Sequence, residues 1–186
     1  MTDKLEFLTE LPIFADLSPA ALDAVARITR EYAFDDDAVI AYQRDIANRL
    51  FIVKEGRLFA RALDNNGITR ETYSFLPKQY FNEHWLFVPG VHSATIKGKG
   101  TAGGRLYVIE GPEFIQLLKR YPSIIDELAP REDDDIHFGL SDDAWIEAQK
   151  LKPRPRRTSS SAAGAMLPDE RIELFTRRSW WFLLGS

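Results

Sequence analysis

Between residues 31 and 110 the chain breaks into short runs rich in β-branched and aromatic residues, and no run is long enough for a helix. The runs are Tyr32 to Asp35, Val39 to Tyr42, Arg49 to Lys54, Arg57 to Leu63, Thr69 to Phe75, Ser93 to Gly98 and Arg105 to Glu110. Glu55-Gly56, Asp64-Asn65-Asn66-Gly67, Pro77-Lys78, Pro89-Gly90 and Gly103-Gly104 punctuate them. So many short strands at close spacing predict an antiparallel sandwich or barrel.

Helical signals flank this block. In "SPAALDAVARITRE", residues 18 to 31, Ser18 suits an N-cap and Pro19 the first helical position, while Leu22, Val25 and Ile28 keep one apolar face. Residues 111 to 128, "GPEFIQLLKRYPSIIDEL", return to helical spacing through Phe114, Leu117, Leu118, Ile124, Ile125 and Leu128. The block and its flanks define a domain over 1–128, and 186 residues with 45% hydrophobic side chains suffice for one proper core.

The remainder changes character. Residues 129–151 form an acidic segment, with seven acids against two bases between Arg131 and Lys150 and a short helix expected from Ser141. Residues 152–166 are a basic, then Ser/Ala-rich linker. Residues 167–186 place Arg177 and Arg178 before Trp180-Trp181-Phe182-Leu183-Leu184. That order suits a segment meeting a bilayer, so 152–186 are a candidate membrane-surface contact, although the apolar run is too short to span. The start of the tail also weakly resembles bacterial membrane-associated pleckstrin-homology-like segments.

The chain has no cysteine and its start lacks the apolar core of a signal peptide, so a cytoplasmic setting is expected, with the tail either meeting a membrane or packing its aromatics on a partner or on its own domain. His84, His92 and His137 lack the spacing of a metal set. No nucleophile and base pair stands out, and "GKGTAGG", 98 to 104, lacks the ending of a phosphate loop. Neither enzyme activity, nor a resident cofactor, nor a metal is expected. A net charge of −4 and the lack of a basic helix-turn-helix after residue 128 argue against DNA.

Several stretches together resemble the cyclic nucleotide-binding domain family over about residues 11 to 128. "LPIFADLSPAALDAVA" is similar to its N-terminal entry, "ANRLFIVKEGRLFA" to two strands joined at Gly56, and "FLPKQYFNEHWLF" followed by "VHSATIKG" to its phosphate-binding cassette. The resemblance implies an antiparallel β-roll or jelly roll of about eight short strands, with an N-terminal helix and C-terminal helices. It further implies a regulatory, non-catalytic module with cyclic AMP or cyclic GMP as ligand and a protein partner. Glu83 would take the ribose 2′-hydroxyl, His92 stands at the position of the phosphate-binding arginine, Ser93 would offer hydroxyl and backbone donors, and Ala94 its N–H.

A cyclic phosphate that leaves water needs such a set: a cation, backbone donors and a hydroxyl. The departures bear on each part of it. Histidine replaces a permanently charged fork, and an exposed imidazole is only roughly a quarter protonated at pH 7. Asn82 replaces the glycine of close approach, while Lys78, Asp37 and Arg44 stand where three further turn glycines are usual. Pro130 and the acids interrupt the lid helix of the family. Nucleotide binding is therefore expected to be weakened or lost, leaving an interaction or signalling domain; the alternative is a working sensor.

Overall fold

The computed structural model describes residues 2–64, 66–99, 103–133 and 136–153, and the expectations for the tail fall outside them. Residues 1–154 make one compact unit. It opens with α1 (Thr2–Thr9), a 3-10 turn (Pro12–Phe14) and α2 (Pro19–Ile28). Ser18 caps α2 as expected, its hydroxyl accepting from the Ala21 N–H at 3.4 Å. Then come β1 (Arg30–Phe34), β2 (Val39–Ala41), β3 (Ile46–Ala47), β4 (Arg49–Glu55), β5 (Leu58–Leu63) and β6 (Thr69–Phe75). They are followed by β7 (Tyr80–Phe81), a 3-10 turn (His84–Leu86), β8 (Gly90–Val91), β9 (Thr95–Gly98) and β10 (Gly104–Glu110). The chain continues with α3 (Gly111–Arg120), α4 (Ser123–Glu127), a hairpin of β11 (Arg131–Asp133) and β12 (Ile136–Phe138), and α5 (Asp142–Gln149).

Two antiparallel four-stranded sheets, β1-β10-β4-β7 and β2-β9-β5-β6, form the roll, which is the mainly β architecture with flanking helices that the sequence implied. Their sequences differ for a physical reason. In β4 and β10 the runs Leu50-Phe51-Ile52-Val53 and Leu106-Tyr107-Val108-Ile109 are apolar throughout because both faces are covered. Phe51, Val53, Leu106 and Val108 point into the roll, whereas Leu50, Ile52, Tyr107 and Ile109 meet the helices, against Leu8, Val25, Phe114 and Ile125. In β5 and β9 only alternate residues, Leu58, Ala60 and Ile96, are buried, since their outer face meets water.

Sequence periodicity passed over the elements of two or three residues, β3, β7, β8, β11 and β12, and over α1. The acidic segment was read for a single helix, and α5 starts as expected after Ser141. It shares the helical core through Leu140, Ala144 and Ala148. Among the described residues no helix is long and apolar enough to cross a membrane.

Candidate functional site

The cassette begins where β7 pairs with β4, Phe81 opposite Phe51 and Tyr80 opposite Ile52. Asn82 then reverses the chain with φ of 70°, Glu83 enters the 3-10 turn, and Val88-Pro89-Gly90 leads back through β8 to His92, Ser93 and Ala94. All four residues that stand in place of family glycines adopt left-handed backbone: Asp37 (58°), Arg44 (75°), Lys78 (69°) and Asn82 (70°). A left-handed non-glycine residue is strained, least so for Asn and Asp. The turns therefore survive without glycine.

The 3-10 turn is fixed to the helical layer. Leu86 is fully buried, Phe87 meets Phe114 edge-on at 5.8 Å, and α3 begins at Gly111, where a Cβ would come within 2.8 Å of both the Leu86 and Asn48 carbonyl oxygens. Only glycine lets α3 start this close to the cassette. Leu86 and Phe87 thus serve as core, while half-buried Trp85 lies against Gly90.

Glu83 and His92 have different partners within the chain. The Glu83 carboxylate accepts the backbone N–H of Ser141, at 3.3 Å from Oε1. Ser141 is the last of three consecutive amides that stitch the C-terminal segment down: Gly139 N–H donates to Pro12 O at 3.0 Å and Leu140 N–H to Leu128 O at 2.9 Å. Tyr80 lies near the same carboxylate; its burial, with the charge of Glu83 adding, holds the phenol protonated far above its ordinary range. Nothing in the local pattern around Glu83 signalled Ser141 as its partner, because the two are 58 residues apart.

His92 corrects an expectation. It is not an exposed loop residue: only 6% of its surface is accessible, its ring sits 6.3 Å from that of Phe51, and Asn82 Nδ2 lies 3.4 Å from its Nδ1. Burial lowers its pKa below the usual histidine value; Asp45 pulls it up and Arg49 pushes it further down. Burial thus disfavours the charged imidazolium, and an amide donating to Nδ1 suits the neutral ring. Beside it, Phe81 stacks on Phe51 at 5.0 Å and against Phe75 at 4.5 Å, filling the inside of the roll.

Ser93 and Ala94 follow His92 in the loop that leads into β9. Ser93 is exposed, Ala94 is buried, and neither backbone N–H has an acceptor among the described residues. Two adjacent uncommitted amides next to a hydroxyl are what an oxyanion needs.

The sequence profile described as "Cyclic nucleotide-binding domain" matches residues 31–121. Residues 31–121 belong to the cyclic nucleotide-binding domain family. A cAMP-dependent protein kinase regulatory subunit from Blastocladiella emersonii is 30% identical over 97 residues, which cover 50% of this chain and 23% of that protein. The match thus spans less than a quarter of the curated relative. Among solved structures, the N-terminal domain of a transcriptional regulator from Streptomyces coelicolor A3(2) aligns with a TM-score of 0.60 at 20% identity, covering 66% of this chain and 84% of that one. The regulatory subunit of a cAMP-independent protein kinase A from Trypanosoma brucei aligns with a TM-score of 0.56 at 16% identity, covering 67% and 45% respectively. At these identities the structural likenesses establish the fold.

Within the matched residues the stretch from Asn82 to Ala94 leaves the Ser93 and Ala94 amides without an acceptor among the described residues. The His92 imidazole there is buried, and the Glu83 carboxylate is bonded to the chain's own C-terminal segment.

Proposed function

We propose that this domain is a non-catalytic regulatory module whose control by cyclic nucleotide is weakened or lost, and which acts by contact with a protein partner. The observation that carries this reading is the state of His92. A buried neutral imidazole supplies no charge to a cyclic phosphate, and a charge-assisted bond contributes on the order of 1.5 to 3 kcal/mol. That is about tenfold to a hundredfold in affinity. The engagement of Glu83 by Ser141 adds to it, since a ribose hydroxyl would have to displace an existing bond. The fold is compatible with both outcomes, because solved structures that share it include one described as cAMP bound and one described as cAMP-independent.

One observation favours a working sensor instead, namely the uncommitted amides of Ser93 and Ala94. In that reading the nucleotide takes Glu83 from Ser141 and releases the segment that carries α5. Calorimetry with cyclic AMP and cyclic GMP at pH 6 and pH 7.5 separates the two. The weakened module gives no heat at micromolar ligand, while a saturable micromolar isotherm establishes the sensor.

A further inference from the structure

The outer face of the β2-β9-β5-β6 sheet carries a second cluster of side chains that the cassette does not use. Leu58 and Ala60 point into the roll, so Phe59 and Arg61 face away from it. The register places Lys97 directly opposite Phe59 and Thr95 opposite Arg61. Lys99, two residues beyond Lys97, falls on the same face. Half-buried Phe59 therefore forms the floor of a cavity of about 440 Å³, with three cations around it.

The charges are not all matched. Lys97 Nζ holds Asp37 Oδ1 at 2.9 Å, and Asp36 also lines the rim. Lys99 Nζ instead lies 4.3 Å from the centre of the Phe59 ring, and the Arg61 guanidinium 5.6 Å from it. Among the residues whose side chains are described, neither Arg61 nor Lys99 holds a carboxylate, and the backbone register sets Arg61 opposite Glu71 of β6. Two like charges resting on one partly desolvated ring repel each other, and a dianion between them relieves that repulsion. A phosphate monoester matches this demand better than a carboxylate, because Arg61 offers a planar fork and Lys99 a point charge. The apolar floor suits a planar ring, and the volume lies within the range of small-molecule sites.

We propose that this outer cavity, bounded by Phe59, Arg61, Lys97 and Lys99, binds a small nucleoside monophosphate, with the phosphate between Arg61 and Lys99 and the base over Phe59. The site lies on the opposite face of the sheet from the cassette and stands whether or not the cassette binds a cyclic nucleotide.

The test uses the full chain, with adenosine 5′-monophosphate, adenosine and inorganic phosphate as probes, followed by calorimetry and by backbone amide shifts. The proposal expects the monophosphate to bind at least about tenfold more tightly than either fragment, with shifts centred on Phe59, Lys97 and Lys99. It further expects Arg61→Ala with Lys99→Ala to weaken binding by about tenfold or more, and Phe59→Leu to reduce the monophosphate to the affinity of phosphate alone. These residues are on the water-facing side, and Arg61→Gln with Lys99→Gln serves as a second pair should the alanine pair fold poorly. The proposal is overturned by no binding at about 5 mM monophosphate, by equal binding of a fragment, by unchanged affinity in both pairs, or by shifts centred on residues 82–94.

Discussion

Restoring the missing cation by His92→Arg should destabilise the free domain and make it respond to ligand. The site that receives the new side chain is 6% accessible and faces Phe51, so a guanidinium there loses most of its water. An uncompensated buried charge costs roughly 3 to 5 kcal/mol. Arginine can reach towards the surface and Asp45 attracts it, whereas Arg49 repels it, so about half of that, ~2 kcal/mol, is expected to remain. For a unit of this size each kcal/mol moves the midpoint by roughly 2 to 4 °C, giving a fall of about 4 to 8 °C in a thermal melt. Cyclic AMP at millimolar concentration should then recover part of the loss in the variant and none in the parent chain, because Ser93 and Ala94 already provide the amides. A variant that melts within about 2 °C of the parent and ignores nucleotide would refute the burial of His92 as the cause of weakened binding.

Three further outcomes follow from the same geometry. Because the folded pKa of His92 is depressed, the unfolded chain binds the extra proton; stability is full above about pH 6.5 and declines as pH falls through that value, by no more than ~1.4 kcal/mol per pH unit from this group, and denaturant melts of parent and His92→Gln give the difference. Asn82→Gly should raise the melting midpoint by a few degrees, since relief of the 70° φ is worth about 1 kcal/mol and the 3.4 Å amide–imidazole contact it removes is long. Gly111→Ala should destabilise by roughly 1 to 3 kcal/mol in urea, as its Cβ meets two carbonyl oxygens at 2.8 Å.

Much of the roll was legible because its strands carry their burial in their spelling. The alternation in β5 and the unbroken apolar runs of β4 and β10 are local patterns, and so is the Ser18-Pro19 start of α2. Strands of two residues have no period to read, which is why β3, β7 and β8 escaped. The left-handed turns at Asp37, Arg44 and Asn82 could be located only through resemblance, since none of the three is a glycine, whereas Pro77 marks the turn at Lys78. At the site, the order of Glu83, His92, Ser93 and Ala94 located the cassette, but exposure did not follow from it. His92 is buried by Phe51 from β4, and Glu83 is held by Ser141 from beyond the hairpin, and both contacts depend on tertiary packing. The same limit hid the outer cluster: Phe59, Arg61, Lys97 and Lys99 meet only once β5 and β9 are in register.

The backbone amide of Ser141 gives the most direct reading of the central proposal, because its acceptor among the described residues is the Glu83 carboxylate. An amide-shift titration of the full chain with cyclic AMP and cyclic GMP, carried to about 1 mM, should leave that resonance and those of Ser93 and Ala94 in place. A saturable shift of all three at micromolar nucleotide would contradict a weakened cassette and establish a sensor that opens by taking Glu83 from Ser141.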